Sequence, residues 1–175
     1  MAENLKIYTY PESVLKEKAE LIENIDGDLQ LIIDNMAATM YNAPGIGLAA
    51  NQVGLLKQLI VYDVSPKDEK KHLSVLINPE IVEAEGEIIY EEACLSVIDY
   101  SAEIKRSARI MVKGVDRHGE PLAIEAEGLK AICLQHEIDH LSGVLFIDHL
   151  SNLKRSLYKK RLKKILAKEG DVQAL

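Results

Sequence analysis

The sequence predicts one domain that combines helices with antiparallel strands, and three features of its patterning carry that expectation. A helical period runs through residues 28–41, β-branched runs bounded by Pro and Gly fill the middle of the chain, and a helical period returns after Gly128. With 175 residues the chain can bury roughly two-thirds or more of its unfolded surface in one core, so the expected domain spans 1–175. A hydrophobic fraction of 47% and a charged fraction of 28% exclude the disordered and membrane-embedded classes. No window approaches the run of about 18 apolar residues that spans a bilayer, and "MAENLKIYTYPESV" lacks a charged head followed by an apolar stretch. A cytoplasmic address is expected, with neither a membrane nor DNA as partner.

A short helix is expected over 12–18, after Pro11. In "DLQLIIDNMAATMY" Leu29, Ile32, Ile33, Met36 and Met40 fall on one helical stripe. "NAPGIGLAANQVG", with three Gly and a Pro, reads as an extended loop, and "KQLIVYDV" as the strand after it. "SPKDEKKH" is a polar loop, and "LSVLINPEIV" and "EGEIIYEEACLSV" read as strands. In residues 108–126, "ARIMVKGV" and "PLAIEA" flank "DRHGE", a hairpin whose Gly119 suits a turn position with positive φ.

From Gly128, Leu129, Ile132, Cys133, His136 and His140 share a helical face that ends near Gly143. A last helix starts near Ser151, its expected N-cap, and interleaves Leu153, Leu157, Leu162, Ile165 and Leu166 with basic residues. Residues 1–150 hold 13 Lys and Arg against 26 Asp and Glu, whereas residues 151–175 hold 8 against 2. A basic helix on an acidic body suits contact with a polyanion, although a solvated helix has the same composition.

"QHEIDH" carries the chemistry. Residues four apart on a helix lie about 40° apart around the axis and about 6 Å along it, so His136 and His140 can reach one metal ion. Glu137, about 100° round from His136, can approach a water beside the metal as general base. The competing reading, two core histidines on an amphipathic helix, leaves inward-pointing imidazoles in need of partners. For a third ligand, Asp148 and His149 lack the spacing of zinc proteases. Cys133 shares the face but sits seven residues, about 10 Å, from His140. Cys94 is the remaining thiolate candidate, and a Cys with two His would leave one coordination position open. In a reducing compartment the two cysteines are expected as free thiols or ligands rather than as a disulfide.

"GIGLAANQ", "EACLS" and "QHEIDH", in this order, resemble the three signature motifs of peptide deformylases, and the similarity spans residues 5 to about 168. Leu95 after Cys94 and the helical C-terminus resemble the type found in Gram-negative bacteria. The resemblance implies a compact α+β fold with antiparallel sheets packed around a central metal-binding helix, followed by a C-terminal helix. It implies removal of the formyl group from N-formylmethionyl peptides, with formylated nascent peptides as partners. Ribosome contact through the basic C-terminal helix (151–175) fits the same picture.

By the same resemblance Cys94, His136 and His140 hold a divalent ion. It is expected to be Fe(II), although Zn(II), Ni(II) and Co(II) suit the same donors; an exposed ferrous thiolate would be oxygen-sensitive. Glu137 is the catalytic base, and the Gln52 amide and the Leu95 backbone N–H steady the attacked oxygen. Glu92 supports the ligands, Ile46, Leu129, Ile132 and Cys133 wall the methionine pocket, and the backbone of Gly45 to Gly47 pairs with the peptide.

The chain departs from the family pattern in having Ala93 where relatives have Gly. It also lacks their Pro shortly after "CLS" and an Arg in "DYSAE". Ala93 would strain the loop if its φ were positive. These departures leave open a divergent paralogue of weak or altered activity, and the short motif leaves open a metallopeptidase or a catalytically silent ribosome-docked protein. Gly45-x-Gly47-x-x-Ala50 also matches a dinucleotide-binding fingerprint, but that motif needs a preceding strand and a following helix, and here the order is reversed. Asp139 is expected to bond Arg106 or a helix end.

Overall fold

A computed structural model of the protein describes residues 2–173. Helix α1 (Gly27–Asn42) starts where the Asp26 carboxylate accepts the Leu29 N–H at 2.9 Å, a cap typically worth about 1 kcal/mol. Its stripe of Leu29, Ile33, Met36 and Met40 is buried as expected, with Ile32 at the margin. Five antiparallel strands form one sheet, in the order β1 (Gly47–Ala49), β2 (Leu59–Tyr62), β3 (Ser74–Glu85), β6 (Arg109–Val115) and β7 (Pro121–Glu127). Strands β4 (Ile88–Cys94) and β5 (Val97–Arg106) make a separate two-stranded ribbon.

The unbroken apolar run of β2 follows from its position in the middle of three layers. Leu59 and Val61 pack into the cluster under α1, while Ile60 and Tyr62 join the cluster on the other side, against α2 (Gly128–Leu141). Helix α2 is buried without a break from Ala131 to Glu137. Its Ala131, Cys133, Leu134 and Leu141 face the sheet, and the histidine side faces the ribbon. The α+β arrangement of sheets around a central helix is thus the one expected, and the hairpin of β6 and β7 turns at Gly119 with φ +86°.

Four expectations need correction. The segment 43–54 is not a plain loop, because Gly47–Ala49 pairs with β2 in register and Ala50–Val53 winds into a 3₁₀ turn. Strand β5 went unrecognised, although Ile98, Tyr100, Ala102 and Ile104 alternate with polar residues up to the buried Arg106 that ends the strand. In α3 (Asn152–Gln173) the expected stripe is largely solvated, with Leu153 70% and Leu157 56% exposed. Of that stripe Leu162 is buried, and with Tyr158, one turn away and outside the stripe, it anchors the helix in a cluster with Val97, Ile104 and Phe146. Ser151 does cap it, its Oγ accepting the Lys154 N–H. The helix expected at 12–18 is a 3₁₀ turn, Ser13–Lys16.

Candidate metal centre and substrate cleft

Helix α2 brings His136 and His140 to the same side with their Nε2 atoms 3.2 Å apart. The tight turn from β4 into β5 delivers Cys94 Sγ to 3.3 Å from His140 Nε2, and all three donor atoms lie within 4.8 Å of one another. A tetrahedral centre with bonds of about 2.0–2.1 Å to nitrogen and 2.3 Å to sulfur has edges of roughly 3.3–3.6 Å between such atoms. The two edges at His140, 3.2 and 3.3 Å, are close to those values and the third lies within 4.8 Å, so the trio is spaced to hold a divalent transition metal. Both cysteines are free; Cys133 lies in the helix with its Sγ toward the Ile46 carbonyl at 3.7 Å, as pocket wall rather than ligand.

A chain of ion pairs orients the first imidazole. His136 Nδ1 lies 2.8 Å from Glu92 Oε2 and donates to that carboxylate, which leaves the Nε2 lone pair for a metal. Burial opposes charge on Glu92, but Arg106 grips both of its oxygens at 2.7 and 3.0 Å and, with His136, holds its pKa at about 2. Arg106 in turn reaches Asp139 at 2.6 Å, and Asp139 accepts from His149 at 2.8 Å. Asp139 thus has the structural role expected of it.

Glu137 sits at the end of the cavity, 4% exposed, and among the described residues its Oε2 has no hydrogen-bond partner. Burial pushes its carboxyl up to about 7 against the opposing pull of His136. Such a group can both take and return a proton near neutrality. Gly47 makes room for it, since a Cβ there would stand 2.5 Å from Glu137 Oε1. Gly47→Ala is expected to shift the carboxylate and lower kcat roughly 10²-fold while the fold persists, as steady-state kinetics beside a melting curve would show.

Gln52 is fixed at both ends. Its Oε1 accepts the Ala49 N–H at 2.9 Å, which turns Nε2 toward Ser96 Oγ at 3.1 Å and Cys94 Sγ at 3.6 Å. The backbone bond and the turn toward the site therefore coexist in one side chain. Leu95 occupies the β4–β5 turn and closes over Gly45, where a Cβ would meet it at 2.9 Å.

Gly45 to Gly47, Glu92, Leu129, Ile132 and Cys133, all expected at the pocket, line a cavity of about 380 Å³ together with His136 and Glu137. Ile46 and Leu129 remain 43% and 39% exposed at its mouth. Tyr90 and Glu91 also line it, and Ser96 and Phe146 support it, the Phe146 ring stacking on His136 at 6.2 Å. None of these four was expected at the site: only the Ser of "CLS" had a signal in the sequence. Ala93 lies in β4 and is not among the residues with positive φ, so it carries no strain.

A cysteine sulfur and two imidazoles beside a buried carboxyl whose Oε2 is unpartnered, in an apolar cleft, define a metal-dependent hydrolase. The family model described as Polypeptide deformylase matches residues 4–156. The peptide deformylase of Thermodesulfovibrio yellowstonii is 58% identical over 159 residues, covering 91% of this chain and 96% of its own. Among solved structures, a peptide deformylase from Legionella pneumophila superposes with a TM-score of 0.88 at 42% identity, over 95% of this chain and 98% of its own. That from Ehrlichia chaffeensis in complex with actinonin gives 0.87 at 38% identity, over 93% and 97%. The chain belongs to the polypeptide deformylase family.

Proposed function

We propose that Cys94, His136 and His140 hold one divalent ion with which this deformylase removes the formyl group from N-formylmethionyl peptides of newly made proteins, releasing formate. The observation that carries the reading is the trio of donors next to the unpartnered Glu137 Oε2, at the end of an apolar cavity. The bound ion supplies a Lewis acid that makes water nucleophilic near neutral pH. Glu137 Oε2 accepts the proton of the attacking water and passes it to the leaving amine nitrogen. Gln52 Nε2 and the Leu95 N–H donate to the formyl oxygen as it becomes negative. Ile46, Leu129, Ile132 and Cys133 enclose the methionine side chain, and the unpaired edges of β1 and β4 receive the peptide backbone as an added strand.

Fe(II) is the metal we assign, on the resemblance to peptide deformylases, although Zn(II), Ni(II) and Co(II) suit the same donors; a ferrous thiolate site is then expected to be oxygen-sensitive. The cytoplasm, where formylated chains emerge, is the proposed place of action; no helix of the described residues is long and apolar enough to cross a membrane. Exposed Lys159, Lys160, Lys163 and Lys164 on α3 offer a contact for ribosomal RNA. Exchanging these four for Glu is expected to abolish a salt-dependent affinity for ribosomes in a pelleting assay, and an unchanged affinity would refute the contact.

The testing experiment is formate release from formyl-Met-Ala-Ser by anaerobically purified protein, with acetyl-Met-Ala-Ser as control. Release from the formyl peptide alone is expected. Metal-loaded protein that releases no formate, or that cuts internal amides of unformylated peptides, would overturn the reading. Gln52→Leu is expected to lower kcat by about 10²-fold or more with KM little changed, the cost of one lost oxyanion donor.

A further inference from the structure

The β4–β5 ribbon has two faces of opposite character. Glu92, Ile104 and Arg106 turn inward and are buried, and strand alternation sends Glu91 and Glu103 to the outer face. These two carboxylates stand directly opposite each other in the register, and both are exposed. Like charges at paired positions repel. The chain leaves them uncompensated: no Lys or Arg occurs from Cys94 to Ile104, and Lys105, the cation of that face, is held by Glu87 at 2.6 Å. Ser101 Oγ donates to Glu91 at 2.9 Å, which steadies the carboxylate without neutralising it.

The same ribbon borders the cleft. Strand β4 is paired on one side only, and Tyr90 to Leu95 line the cavity into which the buried, unpartnered Glu137 Oε2 is directed. A peptide extended along that free edge, with its methionine side chain in the apolar cavity, turns its next side chain to the opposite face by the two-residue repeat of a strand. That is the face of Glu91 and Glu103.

We propose that this outer face selects substrates whose second residue is Lys or Arg and disfavours Asp or Glu there. The proposal rests on the deformylase reading and adds which nascent chains the enzyme processes fastest. Because both carboxylates are exposed, the selection is Coulombic and salt-screened.

The test compares kcat/KM for formyl-Met-Lys-Ser, formyl-Met-Ala-Ser and formyl-Met-Glu-Ser at roughly 0.02 M and 0.5 M salt. The Lys peptide is expected to exceed the Glu peptide by about three- to tenfold at low salt, with the ratio falling toward one at high salt. The Glu91→Gln/Glu103→Gln variant should lose most of that ratio, and since each protein is read by its own ratio, a change in overall rate does not enter. A ratio near one in the unaltered protein at low salt, or one that survives in the double variant, overturns the selectivity. Formyl-Met-Ala-Ser separates the two failures: release from it without Lys/Glu discrimination overturns the selectivity alone. No release from any of the three peptides overturns the deformylase reading and the selectivity with it.

Discussion

Replacing Glu137 with Gln is expected to lower formate release by about 10²–10⁴-fold, the contribution of a positioned general base, while metal stoichiometry stays at that of the unaltered protein. The two readouts separate because Glu137 is not one of the three clustered donors, Cys94, His136 and His140. Gln keeps the shape of the side chain but cannot accept a proton at the Oε2 position, which is buried and unpartnered. A neutral amide also avoids placing a lone charge in that buried position, so thermal stability should hold or rise. Formate release within tenfold of the unaltered enzyme would remove Glu137 from the proposed role.

Arg106→Ala is expected to destabilise the fold by about 3–5 kcal/mol, because it strips the common partner from a buried ion network. Arg106 and Glu92 have side chains only 5% and 3% exposed, and Asp139 shares the same guanidinium. Urea unfolding of metal-free protein would measure the loss, and its pH dependence has a defined sign. The Glu92 pKa, about 2, lies below its ordinary 4.5. Its stabilisation is therefore fully present above the ordinary value and is lost as pH falls toward 2, so the gap between variant and unaltered protein should narrow in that window. The variant should also bind metal more weakly, since Glu92 orients His136.

The legible parts of the chain were those with a long, uniform period. The stripe of α1, the β6–β7 hairpin and the histidine face of α2 each repeat over enough residues to outweigh chance. Segments governed by a single contact were not legible. Strand β1 is three residues long and exists because Gly47 to Ala49 align with Tyr62 to Ile60. The docking of α3 is decided by Tyr158, which packs on Tyr100 with ring centroids 4.6 Å apart, while Leu153, Leu157 and Leu166 of the expected stripe are exposed. At the site the same division holds. His136, Glu137 and His140 follow from helical spacing, whereas Cys94 reaches them only through the turn of a ribbon that begins more than forty residues earlier in the chain. Phe146, which supports His136, carries no pattern of its own, and Ser96, which supports Gln52, is marked only by its place in "EACLS".

The unpaired margins of β1 and β4 also bear on self-association. Open strand edges are templates for pairing with another copy, and most proteins blunt them. Here one edge is confined to three residues and the other lines a recess whose mouth carries Ile46 and Leu129. An isolated extended chain can thread that recess, but the flat sheet of a second folded molecule cannot. At these two margins the geometry that admits a peptide therefore also opposes pairing with the edge of a second folded molecule.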